Sequence, residues 1–150
     1  MILPFDLAKL ISEKIKYLYS SSIYLLVDDV DYCPPLSDDV KTANKGELIR
    51  DYENCYLPSE LEADDFIYAP DLDYIIDWLY NNNNKIFIEV SITNTGFCYY
   101  IYSNVELDDN MECNDNIITS FVLEKYNDSF RTPIEAKLKA VEYIFKNLIV

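Results

Sequence analysis

The sequence predicts an α+β fold, a mainly antiparallel sheet flanked by three helices, in one domain spanning residues 1–150. Three observations carry this expectation. Apolar residues recur at intervals of three and four near each end and near the middle of the chain, which is the period of a helix with one buried face. KIFIEVSI, residues 85–92, alternates strictly and is followed by TNTG and GFCYYIYS, the pattern of an antiparallel hairpin. Half of the 150 residues are hydrophobic and 15% are aromatic, enough apolar material to offset the entropy of ordering the chain despite its charge.

The first helix is expected in FDLAKLISEKIKYLYS, with Leu7, Leu10, Ile11, Ile15 and Leu18 on one face and Asp6 placed to cap its start. SIYLLV, residues 22–27, suits a short buried strand. Between residue 28 and about residue 65 the periodicity fades, and the adjacent Pro34 and Pro35 rule out continuous helix and discourage a central strand. This segment is expected to be irregular, apart from a helical turn or two in ANKGELIRDYEN.

Order returns in APDLDYIIDWLYNNNN, where Leu72, Ile75, Ile76 and Leu79 share a helical face, Asp71 can cap, and the asparagine run offers a stop. In the hairpin that follows, Ile86, Ile88, Val90 and Ile92 point one way and Phe87, Glu89 and Ser91 the other. IITSFVLEKY is a further strand candidate. The chain closes with TPIEAKLKAVEYIFKNLIV, where Thr132, Pro133 and Glu135 form a capping box and Ile134, Leu138, Val141, Phe145 and Leu148 line one face.

Charge is distributed unevenly over these elements. The chain carries 27 acidic and 12 basic residues, a net charge of −15. Residues 28–77 hold 15 acids and 3 bases, and residues 104–116 hold five acids and no base. The remainder is close to neutral, so the excess belongs to particular loops and one helix. Asp73 and Asp77, four apart on a helix, are separated by about 6 Å along its axis. If Asp29 and Asp31 lie in an extended segment they point the same way, roughly 6–7 Å apart. Such spacings resemble those of phosphates on a nucleic-acid strand. An acidic surface also serves solubility, and richness in Tyr, Asn, Ile and Lys also follows from AT-rich coding. The 14 tyrosines nonetheless supply residues that protein interfaces favour.

Several chemistries lack their residues. There is no histidine, so the Ser-His-Asp, Cys-His and histidine-zinc arrangements are excluded. The cysteines at 33, 55, 98 and 113 form no C-x-x-C pair, and free thiols are expected in a chain of this size without an export signal. Phosphate-cradling glycine motifs are missing, as is an EF-hand loop. No cofactor and no metal is expected, and the chain does not look like an enzyme. No apolar run approaches the roughly 18 residues of a membrane helix, and the start lacks a signal peptide, so the expected location is the cytoplasm of a host cell. A net negative charge disfavours direct binding of nucleic acid or anionic lipid and favours a basic protein partner.

APDLDYIIDWL, KIFIEVSI, a tyrosine-rich strand and TPIEAKLKAVEYIFKNL, in that order, resemble small uncharacterised acidic proteins of phages and prophages of Bacteroidetes. The likeness covers roughly residues 64–103 and 130–148 and consists of scaffold motifs. It departs from the group's pattern near Phe87, where a histidine would stand, and in the long acidic segment. The resemblance implies an α+β fold and a mobile-element origin, with no catalytic residues to carry over. By analogy of class, it also implies an anti-CRISPR or other anti-defence role.

The expected function is therefore that of a non-enzymatic inhibitor, a nucleic-acid mimic that covers a basic, nucleic-acid-binding protein surface. Its expected contact residues are Asp28, Asp29, Asp31, Asp38, Asp39, Asp64, Asp65, Asp73, Asp77, Glu106, Asp108 and Asp109, with Tyr32, Tyr68 and Tyr74 as aromatic anchors. An immunity protein that neutralises a basic toxin nuclease would use the same physics. A carboxylate-metal enzyme is the third reading, and a homodimer through the hairpin edge stays open.

Overall fold

A computed structural model describes residues 1–58, 60–81, 86–104, 118–121 and 129–149. The fold is α+β, with three helices and antiparallel strands among the described residues. The strands form three separate sheets, ordered β4-β1-β5, β2-β3 and β6-β7-β8. Two compact units are present, Met1–Leu72 and Asp73–Ile149.

In the first unit, α1 (Phe5–Lys14) precedes β1 (Ile23–Leu25), β2 (Val30–Tyr32), β3 (Lys41–Ala43), β4 (Leu48–Ile49) and β5 (Phe66–Tyr68). Pro4 holds the N-cap position of α1 and Asp6 lies inside the first turn, so the expected aspartate cap is replaced by an acid that favours the helix N-terminus through the dipole. The helix ends at Lys14, earlier than its apolar spacing predicts. Ile15 and Leu18 are buried all the same, but beyond the helix, with Ile15 extended and a turn at residues 16–17 between them.

Strand β1 is buried on both faces. On one side Ala8, Tyr24 and Ala69 form a cluster joined by Ile2, Phe5, Leu48 and Ile67. On the other, Ile23, Leu25 and Ile49 meet Val30 and Ala43 of the β2–β3 hairpin, with Tyr32, Tyr52, Phe66 and Tyr68 packed around them. The first side places α1 against the sheet; the second covers the opposite face with the hairpin.

The stretch expected to be irregular thus contains three short strands and a single 3-10 turn, Tyr52–Asn54. Of the helical turns expected in ANKGELIRDYEN, the 3-10 turn at its end forms, while Leu48 and Ile49 are strand. Gly46, at φ +85°, turns the chain, and Leu48 and Ile49 then pair with Tyr24 and Ile23. The sheet contact decides the conformation of these residues, overriding a weak local preference. Pro34 and Pro35 lie just beyond β2, consistent with their missing donors.

In the second unit, α2 (Leu72–Asn81), which begins at the junction between the two units, leads to β6 (Ile86–Thr93), β7 (Gly96–Asn104), β8 (Ile118–Phe121) and α3 (Pro133–Asn147). The hairpin register runs from Ile86↔Ser103 to Thr93↔Gly96. β8 pairs with the far end of β7, and α3 packs on β6 and β7. The asparagines after Asn81 lie outside the described residues.

Gly96 has a steric reason: a Cβ there would meet the Phe130 carbonyl oxygen at 2.5 Å. That close approach lets Phe97 and Phe130 exchange both backbone hydrogen bonds at 2.9 Å. The buried stripe of α3 is Ala136, Ala140, Val141, Ile144 and Phe145, while Ile134 is 48% exposed. Spacing of the large residues alone misplaces this face. Two alanines one turn apart allow the backbone to approach its neighbours, and the larger Ile134 is left outside. Trp78 and Phe145 stack with centroids 6.1 Å apart.

Candidate functional site

Backbone pairing gathers some of the acidic residues of the first unit at one end of β1. β1 ends at Leu25, where Gly46 N–H donates to the Leu25 carbonyl at 2.8 Å and Leu25 N–H donates to Glu47 at 3.1 Å. On the opposite edge, Leu26 N–H donates to the Asp65 carbonyl at 2.8 Å. The turns at 44–47 and 62–65 therefore flank the same end of β1, and the chain leaves that end through Asp28 and Asp29 into β2. Residues 28–47 and 62–65 together carry nine carboxylates and two lysines.

Some of these carboxylates brace their own loops. Asp28 Oδ1 accepts from Lys45 N–H at 3.0 Å, Asp31 Oδ1 from the Thr42 hydroxyl across the hairpin at 2.6 Å, and Asp65 Oδ2 from Glu62 N–H at 2.9 Å. Asp29 adopts φ +58°, and its N–H donates to Asn44 Oδ1 at 3.1 Å. It sits in a turn ahead of β2, so Asp29 and Asp31 are not same-face neighbours of one extended strand. The carboxylates of Asp29, Asp38, Asp39 and Asp64 are exposed, and among the described residues they accept no hydrogen bond.

None of the carboxylates in these turns forms an ion pair among the described residues, where the pairs are Met1–Asp71, Lys139–Glu142 and Lys146–Glu142. Asp71 precedes α2 and takes the N-terminal ammonium at 3.1 Å. No three thiols or carboxylates are placed to hold a metal ion among the described residues. Nor does any described helix have the length and apolarity to cross a membrane.

Asp73 and Asp77 are exposed on α2 in the second unit, apart in sequence and unit from the turns just described. Glu106, Asp108 and Asp109 lie outside the described residues. The three expected anchors also separate. Tyr32 and Tyr68 are half-buried against the core of the first unit, where they fill space between hairpin and sheet. Tyr74 is 44% exposed on α2.

Other aromatics reach solvent in the first unit. Tyr56 is 70% exposed, and its backbone pairs with Cys33, directly after β2, which sets it beside the acidic hairpin. Tyr19 lies 5.6 Å from Tyr68, and the hydrogen bond of its hydroxyl to Glu53 raises its pKa. Composition shows many tyrosines but not which ones the core absorbs. The exposed positions follow from pairing between distant segments.

Burial pushes the Cys55 thiol above its ordinary value, helped by Asp51 and Cys33, so the thiolate needed by a nucleophile is disfavoured. Burial likewise raises Tyr24, Tyr52 and Tyr99, keeping these phenols protonated. The exposed carboxylates instead create a negative field that attracts cationic groups before contact. Compared with known protein families, curated proteins and solved structures, the chain finds no match.

Proposed function

We propose that this chain is a non-enzymatic acidic binding protein that covers the basic, nucleic-acid-binding surface of a partner protein, as an inhibitor encoded by a mobile element would. The observation that carries the reading is a set of exposed carboxylates with no ion pair among the described residues: Asp29 and Asp64 by the turns that flank one end of β1, and Asp38 and Asp39 in the loop that joins β2 to β3. Concentrating like charge costs folding energy through repulsion, and a cationic partner relieves that cost. Tyr56 supplies an exposed ring beside the same hairpin. The mobile-element part of the proposal rests on the resemblance of the scaffold segments, and the anti-defence part on an analogy of class.

The test is capture of the partner from a host lysate at several salt concentrations. The wild type is compared with a variant carrying Asp29→Asn, Asp38→Asn, Asp39→Asn and Asp64→Asn. Asparagine keeps the side-chain shape and tolerates the left-handed conformation at residue 29. Wild-type capture should select a basic protein, weaken with salt, and prevent that protein from binding nucleic acid. Equal capture by wild type and variant at about 0.15 M salt, where exposed charges interact over roughly 8 Å, would remove the proposal.

A further inference from the structure

The β6–β7 hairpin carries a second polar and aromatic arrangement, wholly within the second unit. Strand alternation sets Phe87 and Glu89 on one face, and the register places Tyr102 opposite Phe87 and Tyr100 opposite Glu89. Tyr80, near the end of α2, meets the Phe87 ring edge-on at 4.6 Å. Tyr100 and Tyr102 stack with centroids 6.3 Å apart. Phe87, Ile88, Glu89 and Tyr102 line an open depression of about 410 Å³.

Among the described residues that line it, the charged side chain is Glu89. Glu89 raises the pKa of the Tyr102 hydroxyl, and its carboxylate accepts from the Ser91 hydroxyl at 3.4 Å. Among the described residues no lysine or arginine pairs with it. Phe87, on the same strand face as this carboxylate, is left 37% exposed, and Tyr80, which packs against Phe87, is left 47% exposed. Aromatic faces attract cations, and a planar guanidinium both stacks on rings and matches a carboxylate with two donors. A lysine ammonium is more strongly hydrated and lacks the flat surface.

We propose that this depression receives the guanidinium of an arginine presented by the basic partner. The inference rests on the function proposed above and adds the side chain that the partner inserts. Phe87, Tyr102 and Glu89 then act together as one recognition site, separate from the carboxylate turns of the first unit.

A six-arginine peptide, titrated into the isotope-labelled full chain and followed by amide NMR shifts, tests it. Shifts should concentrate at residues 86–89 and 100–102 and should be smaller with a six-lysine peptide. They should persist in the variant with Asp29, Asp38, Asp39 and Asp64 changed to Asn. Glu89→Gln should weaken binding at this site about tenfold, as loss of a charge-assisted hydrogen bond does. Phe87→Leu keeps the apolar bulk and the net charge but lacks the ring, so it should weaken binding several-fold while the spectrum stays folded.

Equal binding by Phe87→Leu, or equal shifts with the lysine peptide, would overturn the arginine site. Shifts confined to residues 28–47 and 62–65 would also overturn it and leave the proposed function standing. Arginine-dependent shifts at the hairpin, in a protein whose partner capture ignores the four Asn substitutions, would support the site while removing the first-unit reading.

Discussion

The Tyr24 hydroxyl donates to the Leu3 carbonyl at 2.7 Å in a buried setting, tying the segment ahead of α1 to the middle of β1. Phe5 packs edge-on against the same ring at 5.5 Å. Tyr24→Phe keeps the ring and leaves the carbonyl without this donor. The expected loss is about 1–2 kcal/mol, measured by urea denaturation. An unchanged midpoint would show that solvent satisfies the carbonyl.

Thr132 Oγ1 accepts from Glu135 N–H at 3.1 Å. The Glu135 carboxylate returns a bond, but to Arg131 N–H at 2.9 Å, one residue ahead of the reciprocal partner that a capping box implies. Thr132→Ala should cost about 1 kcal/mol, read as earlier loss of helical ellipticity on heating.

Gly96→Ala should destabilise the second unit by more than about 1 kcal/mol, because the added methyl cannot fit without separating residues 97 and 130. Hydrogen exchange should accelerate at Phe97 and Phe130 first. Gly46→Ala meets no atom within 4 Å, so its cost should arise from the positive φ alone, about 1 kcal/mol.

Glu142 lies between Lys139 and Lys146 on α3, and the hydrogen bonds from Lys139 and Lys146 hold its carboxyl below the ordinary value. Because the folded value is depressed, this contribution is complete above the unfolded value of about 4.3 and disappears as pH falls through the lower folded value. Lys139 is raised by its bond to Glu142, so its share fades only as pH rises through that raised value. Glu142→Gln should lower stability at pH 7 by about 0.5–1 kcal/mol, the sum of two exposed helical pairs. The wild-type advantage should vanish in strong acid, as denaturation at a series of pH values would show.

Neutralising Asp29, Asp38, Asp39 and Asp64 with asparagine should leave stability unchanged or raise it, each site within about 0.5 kcal/mol. Added salt screens like charges. Sodium chloride should therefore raise the melting temperature of the wild type more than that of the variant. An equal response would mean that these carboxylates do not repel one another appreciably.

The elements that local pattern reveals are those whose own period matches their burial. The β6–β7 hairpin follows from alternation and a two-residue turn, and α2 from Leu72, Ile75 and Leu79. The start of α3 follows from Thr132 and Pro133. Short strands such as β4 and β5 carry too few residues for a period, and they exist because β1 pairs with both. Among the candidate contact residues, local pattern shows the concentration of charge but not the bracing roles of Asp28, Asp31 and Asp65. It likewise does not show that Tyr32 and Tyr68 are half-buried against the core while Tyr56 faces solvent.

By itself, the sequence determined the α+β class, the helix and hairpin signals, and the excess of negative charge, because each depends on residue type and near-neighbour spacing. Only the tertiary structure decided which acids are unpaired among the described residues, which tyrosines are exposed, and that Tyr102 joins the face Phe87 and Glu89 share, with Tyr80 against Phe87. Those outcomes depend on contacts between residues far apart in the chain, where burial and hydrogen-bond partners are set by the folded backbone.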